Sequence, residues 1–173
     1  MRFFYDCEFI EDGRTIELVS IGVVEESGRE YYAVSTEFDP GRAISWVRRN
    51  VLSLLPPPGD PAWRSREQIR ADLLAFLTAP EEPIELWAWM SAYDHVALAQ
   101  LWGDMRALPR QIPRFTHELR QRWEDAGRPP LPDAPADQHD AIVDARHNLA
   151  RWRALTALTP PVTDPDGQQA SPR

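Results

Sequence analysis

The chain has 173 residues, 43% of them hydrophobic and 27% charged, which predicts one globular domain long enough to bury a core. Its single cysteine, Cys7, excludes an internal disulfide framework and a cysteine-rich zinc site. The formal net charge of −8 argues against a polybasic surface that wraps nucleic acid without specificity. Acids near the N-terminus do not suit a signal peptide and no segment resembles a membrane span, so we expect a cytoplasmic protein with no membrane partner.

The first part of the chain predicts three β-strands, at residues 2–9, 16–25 and 30–38. These segments are rich in apolar and β-branched residues, and turn-forming triplets that end at Gly13 and Gly28 separate them. Two hairpins therefore predict an antiparallel meander.

The middle of the chain predicts two helices and a strand. Apolar residues recur at helical spacing within residues 44–55, and three consecutive prolines directly after this range stop the pattern. The same spacing recurs at residues 65–77. The short aromatic run at residues 85–90 predicts a buried strand.

The last part of the chain predicts three helices, at residues 93–101, 116–126 and 138–155. A proline-rich loop at residues 127–135 separates the second from the third. Residues 156–173 have few apolar side chains and predict a flexible tail.

The order of these elements predicts an α/β domain that spans residues 1–155. Its mixed sheet begins as the antiparallel meander and accepts the strand at residues 85–90 through a crossover connection. Helices are expected to flank the sheet.

Two carboxylates of the first strand, Asp6 and Glu8, are expected on one face because side chains alternate along a strand. Two such charges repel unless a cation lies between them, and hard oxygen ligands favour Mg²⁺ or Mn²⁺. With 27 acids in the chain such pairs arise by chance, so a solvated edge strand is the alternative. The apolar neighbours of the pair favour a functional role, since unpaired charge would be costly there.

Asp94 follows the strand at residues 85–90, at a strand-to-helix junction where open α/β sheets bind ligands, although a helix cap fits equally well. His139 and Asp144 open the last helix, and their separation corresponds to about 140° around a helix. The two side chains would diverge if both lay within the helix. If His139 precedes the first turn, its ring can face whatever Asp144 binds.

The ordered set of motifs resembles a known family, the DEDDh 3′-5′ exonucleases. The similar features are Asp-x-Glu on a first apolar strand, an Asp after an aromatic strand and His-x-Ala-x-x-Asp-Ala on a C-terminal helix. More narrowly, the strings Phe-Tyr-Asp-Cys-Glu-Phe-Ile, Glu-Leu-Trp-Ala-Trp and Tyr-Asp-His-Val-Ala-Leu resemble the bacterial polyadenylate-specific 3′-exoribonucleases. The resemblance covers residues 2–155 and implies a ribonuclease-H-like fold and a homodimer.

The resemblance also implies a role for each motif residue. Asp6 bridges two Mg²⁺ or Mn²⁺ ions, Glu8 and Asp144 bind the first ion, and Asp94 acts mainly through a metal-bound water. His139 is the general base, which suits a side chain type that titrates near neutrality. The implied substrate is the 3′ end of single-stranded RNA, with adenylate ends favoured, and the product is a nucleoside 5′-monophosphate.

Glu8, Phe9 and His139 are the substrate-binding residues that the resemblance implies. Related enzymes pack a bulky residue at the position of Phe9 against the terminal base, and stacking of this kind tolerates any sequence. A core position for Phe9 is the alternative.

The chain departs from the family pattern at Met90, where many DEDDh enzymes have an Asn. Polar support for Asp94 must therefore come from another residue, with Ser91 as the candidate. Helix arginines are candidates for phosphate contacts, within one protomer or across a dimer: Arg48, Arg49, Arg110 and Arg114.

Two other functions remain open at this point. The acidic residues do not separate RNA from DNA or short oligoribonucleotides, because that choice depends on contacts to the 2′-hydroxyl. A catalytically silent binding module on the same fold is the alternative from a different class.

Overall fold

Six strands form one mixed sheet in the computed structural model, which describes residues 1–158. The order across the sheet is β4-β3-β2-β1-β5-β6. The strands are β1 (Arg2–Glu11), β2 (Ile16–Glu25), β3 (Glu30–Ser35), β4 (Trp63–Arg64), β5 (Glu85–Ala88) and β6 (His117–Glu118). The first three are antiparallel, as the predicted hairpins require, and the other three run parallel to their neighbours. The predicted α/β fold class is confirmed.

Five α-helices flank this sheet. They are α1 (Ser45–Asn50), α2 (Arg66–Thr78), α3 (Ala92–Gln100), α4 (Leu119–Asp125) and α5 (Ala141–Leu158). Helices α2 and α3 pack on the face that carries Phe3 and Tyr5. Helices α5 and α1 pack on the opposite face, against Phe4 and Ile10 respectively. Of the helices that residues 1–158 form, none combines the length and the apolar character of a membrane span.

Several predicted boundaries are wrong because the tertiary structure sets them. The helix predicted at residues 44–55 breaks into α1 and a short 3₁₀ turn at Leu52–Leu54, before Leu55 becomes extended ahead of Pro56. The helix predicted from residue 116 begins as strand β6, because pairing with β5 holds those residues extended.

Two other predicted strands end earlier than expected. The strand predicted at residues 30–38 ends at Ser35, and the strand predicted at residues 85–90 ends at Ala88. Met90 has a φ of 59°, a left-handed conformation that a strand cannot contain.

Helix α5 begins later and ends later than predicted. His139 has a φ of 71° and lies before the helix, and the Asp140 carboxylate accepts a hydrogen bond from the Ile142 N–H at 3.1 Å. At the other end, residues 156–158 of the predicted tail form the last turn of α5. The remaining tail prediction, residues 159–173, lies outside the described residues.

Gly22 lets α5 approach the sheet. It pairs with Asp6 across β1 and β2, beneath the first turn of the helix. A Cβ atom at Gly22 would lie 2.3 Å from the carbonyl oxygen of Ala141 and 2.5 Å from the Cα of Ile142. Glycine is therefore required here, and its small size brings the start of α5, with Asp144, onto the strand that carries Asp6.

We expect Gly22→Ala to destabilise the protein by about 3 kcal/mol or more, because rigid backbone atoms cannot move away from the new methyl group. Urea denaturation measures this loss. Gly13→Ala is the control. Gly13 has open space around it and a φ of 77°, so this substitution should lower the free energy of unfolding by only about 1 to 2 kcal/mol. A Gly22→Ala variant as stable as the wild type would contradict the close packing of α5.

Candidate active site

Strand β1 is longer than its parallel neighbour β5, and this difference opens a gap at one edge of β1. The two strands pair only from Arg2 to Phe4 on the β1 side. Beyond that point, the Tyr5 carbonyl accepts a hydrogen bond from Asn148 Nδ2 at 3.0 Å, and the Cys7 N–H donates to Asp94 Oδ1 at 2.8 Å. Side chains from α5 and α3 thus satisfy the backbone groups that a longer β5 would have paired.

This arrangement draws Asp94 to the strand that carries Asp6 and Glu8. Asp94 lies in the first turn of α3 and is buried, with 5% of its surface exposed. The predicted capping role therefore does not account for its carboxylate, which faces the β1 backbone. The polar support expected from Ser91 comes instead from the Cys7 amide, since Ser91 donates its hydroxyl to Glu118 at 3.1 Å.

His139 and Asp144 meet because His139 lies outside the helix. The His139 N–H donates to Asp144 Oδ2 at 2.8 Å, which ties the preceding loop to the first turn of α5. The Trp46 and His139 rings pack edge to face, with ring centroids 4.8 Å apart. Ligand atoms of Glu8, His139 and Asp144 all lie within 4.8 Å of one another, close enough to bind one metal ion together.

One cavity of about 650 Å³ contains the whole predicted set. Asp6, Glu8, Asp94, His139 and Asp144 all contribute to its walls. Phe9 packs against the core, its ring centroid lies 5.7 Å from that of Tyr93, and it also lines this cavity. The structure therefore brings together residues that are up to 138 positions apart in the sequence.

The carboxylates destabilise each other's charged forms. Burial, and then the charges of Asp144 and Asp94, raise the pKa of Glu8 to about 8. Burial also raises the pKa of Asp94 to about 7, although hydrogen bonds from backbone N–H groups oppose the shift. The pKa of Asp6 is raised well above its ordinary value, first by burial and then by the charge of Asp94. Such a set of anionic oxygen donors fits hard divalent cations, which remove the repulsion.

Glu118 is a positioning residue that the sequence did not reveal. Its carboxylate accepts hydrogen bonds from the N–H groups of Met90 and Ser91, each at 2.8 Å, and so holds the turn that leads into α3. A two-residue strand carries Glu118, and such a short strand has no alternation pattern that could reveal it.

Arg151 is the second residue that the sequence analysis missed. It lines the cavity, whereas the four arginines proposed from the sequence do not, and Arg110 lines a separate cavity of about 510 Å³. A signal for Arg151 was present, because it follows Asp144 by seven residues, two helical turns along the same face of α5.

Solved structures with the same fold carry metal ions and nucleic acid. Pop2p of S. pombe, in its Mg²⁺- and Mn²⁺-bound form, is 10% identical and has a TM-score of 0.54, with 90% of this chain and 82% of that chain covered. The zinc-ion-bound complex of E. coli ExoI with single-stranded DNA is 13% identical and has a TM-score of 0.62, with 92% and 41% covered. The fold is therefore that of the ribonuclease-H-like exonucleases.

Sequence comparison gives the family. Residues 1–156 match the Rv2179c-like 3′-5′ exoribonuclease domain. The 3′-5′ exoribonucleases Rv2179c and MT2234.1 of Mycobacterium tuberculosis, from strains H37Rv and CDC 1551, are each 63% identical over 172 residues, which is 99% of both chains. The chain belongs to the Rv2179c-like 3′-5′ exoribonuclease family, which confirms the predicted family.

Metal-free protein should lose stability as the pH rises from 6 to 8. Glu8 has a folded-state pKa of about 8 and an ordinary value of 4.5, so in this range the folded protein holds a proton that the unfolded chain has released. The free energy of unfolding then falls with pH, by about 2 kcal/mol for this one group. Thermal melts in EDTA at several pH values measure the loss, and Mg²⁺ should restore stability at pH 8.

Glu8→Gln serves as the control for this pH dependence. The amide cannot ionise, so the decline between pH 6 and 8 should become shallower. Equal melting temperatures for the wild type at pH 6 and pH 8 in EDTA would show that the buried carboxylates do not oppose folding.

Proposed function

We propose that this protein is a metal-dependent 3′-5′ exoribonuclease that removes nucleoside 5′-monophosphates from the 3′ end of single-stranded RNA, with adenylate ends preferred. One observation carries the proposal: four separated acids and a histidine line the same cavity, in a chain of an exoribonuclease family. The names of the 63% identical relatives support the same activity.

Asp6, Glu8, Asp94 and Asp144 would hold two divalent cations, Mg²⁺ or Mn²⁺. Their anionic oxygens suit hard ions, and the similar fold of Pop2p in a Mg²⁺- and Mn²⁺-bound form supports this choice. Two ions supply positive charge that stabilises the attacking and departing oxygens of a phosphoryl transfer. The raised pKa values of Glu8 and Asp94 support the same assignment, because a cation would stabilise their charged forms.

His139 is the proposed general base. Its ring would accept the proton of the water whose oxygen bonds to phosphorus. The bond from phosphorus to the 3′ oxygen of the preceding nucleotide would break, and that oxygen would take up a proton from solvent to become the new 3′-hydroxyl. Two contacts position this residue. Its backbone N–H donates to Asp144 Oδ2, and the Trp46 ring packs edge to face with its imidazole. Because a ring nitrogen also lies near Glu8 and Asp144, metal binding is the competing role for the same side chain.

The cavity suits a terminal nucleotide. Its volume of about 650 Å³ falls within the ordinary range for small-molecule sites. Phe9, Trp46 and Tyr93 provide aromatic surface on which a base can stack, and Glu8 is the proposed polar contact.

The cellular setting forms part of the same proposal. The resemblance supports a homodimer, which sedimentation velocity would detect. A cytoplasmic location agrees with the single cysteine, Cys7, which is a buried free thiol.

Incubation of the wild type with 3′-tailed RNA and Mg²⁺ or Mn²⁺ should release nucleoside 5′-monophosphates, and EDTA should stop the release. Asp6→Asn should lower the rate at least about a hundredfold, because it removes a charge from the metal-binding set. Adenylate, mixed-sequence and all-DNA substrates in parallel measure base and sugar preference.

The exposed Asp104 forms an ion pair with Arg106, and neither residue lines the cavity, so Asp104→Asn is the matched control variant. It should keep the wild-type rate. Rapid release from DNA alone would favour the DNA exonuclease, and no release with any substrate or ion would favour a silent binding module.

We expect His139→Ala to lower kcat about 10²- to 10⁴-fold while the affinity for Mn²⁺ stays the same. Single-turnover cleavage and metal titration measure the two quantities. Gln138→Ala, in the same loop and in the same cavity, should change neither. A large loss of Mn²⁺ affinity in His139→Ala would instead make His139 a metal ligand.

A further inference from the structure

Arg151 is the only arginine among the described residues that line the active-site cavity, and the chain contains no lysine. Five carboxylates share the same walls: Asp6, Glu8, Glu11, Asp94 and Asp144. A guanidinium keeps its positive charge at any ordinary pH. Arg151 is therefore the one permanent cation that the described part of the protein presents to a ligand in this cavity.

The guanidinium of Arg151 is held in position by neutral groups. Its Nη1 donates to Asn148 Oδ1 at 3.0 Å, and its Cζ lies 4.3 Å from the centre of the Trp89 ring. Asn148 is almost completely buried and also donates to the Tyr5 carbonyl, one residue before Asp6. A chain of contacts thus fixes Arg151 relative to the strand that carries Asp6.

Within the described part of the chain, most of the N–H donors of Arg151 have no hydrogen-bond acceptor. A guanidinium has five N–H donors, and Asn148 is the acceptor that the structure gives it. Within residues 1–158, Arg151 forms no ion pair, although the charges of Asp144 and Asp6 both act on it. An arginine that is fixed by an amide and an indole, and that faces a cavity, is arranged to bind an anion.

We propose that Arg151 binds the non-bridging oxygens of the terminal phosphate, the group that leaves as the 5′-phosphate of the product. This inference rests on the proposed function. Two divalent cations would offset the charges of the four proposed metal-binding carboxylates, and Glu11 adds a fifth negative charge to the walls. Arg151 is therefore the cationic side chain that the described part of the chain offers to the phosphate. A preorganised guanidinium stabilises the negative charge that these non-bridging oxygens carry in the transition state of phosphoryl transfer.

Binding of adenosine 5′-monophosphate in the presence of Mg²⁺, measured by calorimetry beside adenosine, tests this role without turnover. We expect Arg151→Gln to weaken monophosphate binding about 10- to 100-fold, which is typical for a hydrogen bond to a charged group, and to leave adenosine binding unchanged. Arg151→Lys keeps the charge but loses the planar fork, so it should recover only part of the affinity.

Arg153→Gln is the matched control. Arg153 lies on the same helix, is exposed and donates to the Glu26 carbonyl away from the cavity. This variant should bind both ligands like the wild type. Melting temperatures of all variants report whether Arg151→Gln folds, and Arg151→Lys keeps the test valid if it does not.

The outcomes separate this inference from the proposed function. Monophosphate binding by Arg151→Gln within about twofold of the wild type would overturn the phosphate role. A change in Mg²⁺ affinity alone would overturn it too, because Arg151 would then act on the carboxylates and not on the phosphate. The RNA assay is independent: wild type that releases no nucleotide, but binds monophosphate through Arg151, would overturn the proposed function only.

Discussion

The whole site depends on a stretch of β1 backbone that lies beyond the end of its neighbour β5 and so has no strand to pair with on that side. A buried backbone N–H or carbonyl without a hydrogen-bond partner costs free energy of folding. Where β5 ends, other groups must therefore bond to the β1 backbone. Asp94 satisfies the Cys7 amide and Asn148 satisfies the Tyr5 carbonyl. These two bonds fix α3 and α5 against the strand that carries Asp6 and Glu8. A requirement of folding thereby creates the geometry of the cavity.

The same packing brings together charges that oppose folding in the absence of a cation. The carboxylates of Asp6, Glu8 and Asp94 have raised pKa values because they are buried beside one another. Gly22 adds to this crowding, since it allows the start of α5 to lie on the sheet. The buried carboxylates lower the stability of the metal-free fold at the place where cations would restore it, as is common at functional sites. Arg151 shares the cavity but stays outside the ion pairs of the described residues, and so remains available to a ligand.

Sequence patterns predicted the parts of the site that local geometry controls. Alternation along β1 predicted that Asp6 and Glu8 share a face, and both line the cavity, as does Asp94 after the aromatic strand. The position of His139 was conditional, because only a residue outside the helix could face Asp144, and its φ of 71° meets that condition. Glu118 and Arg151 were missed: the first acts through a strand of two residues, and the second was hidden among many arginines on helix faces.

The sequence by itself determined the meander, the order of the longer helices and strands, and the shared face of Asp6 and Glu8, because these follow from side-chain periodicity and turn residues that neighbouring positions encode. Only the tertiary structure decided where β5 ends, that residues 117–118 form a strand, and that Asn148 holds Arg151 beside the acids. Those features depend on contacts between residues distant in the chain, such as Tyr5 with Asn148. No local pattern contains them, because each partner gains its role only when the other is packed against it.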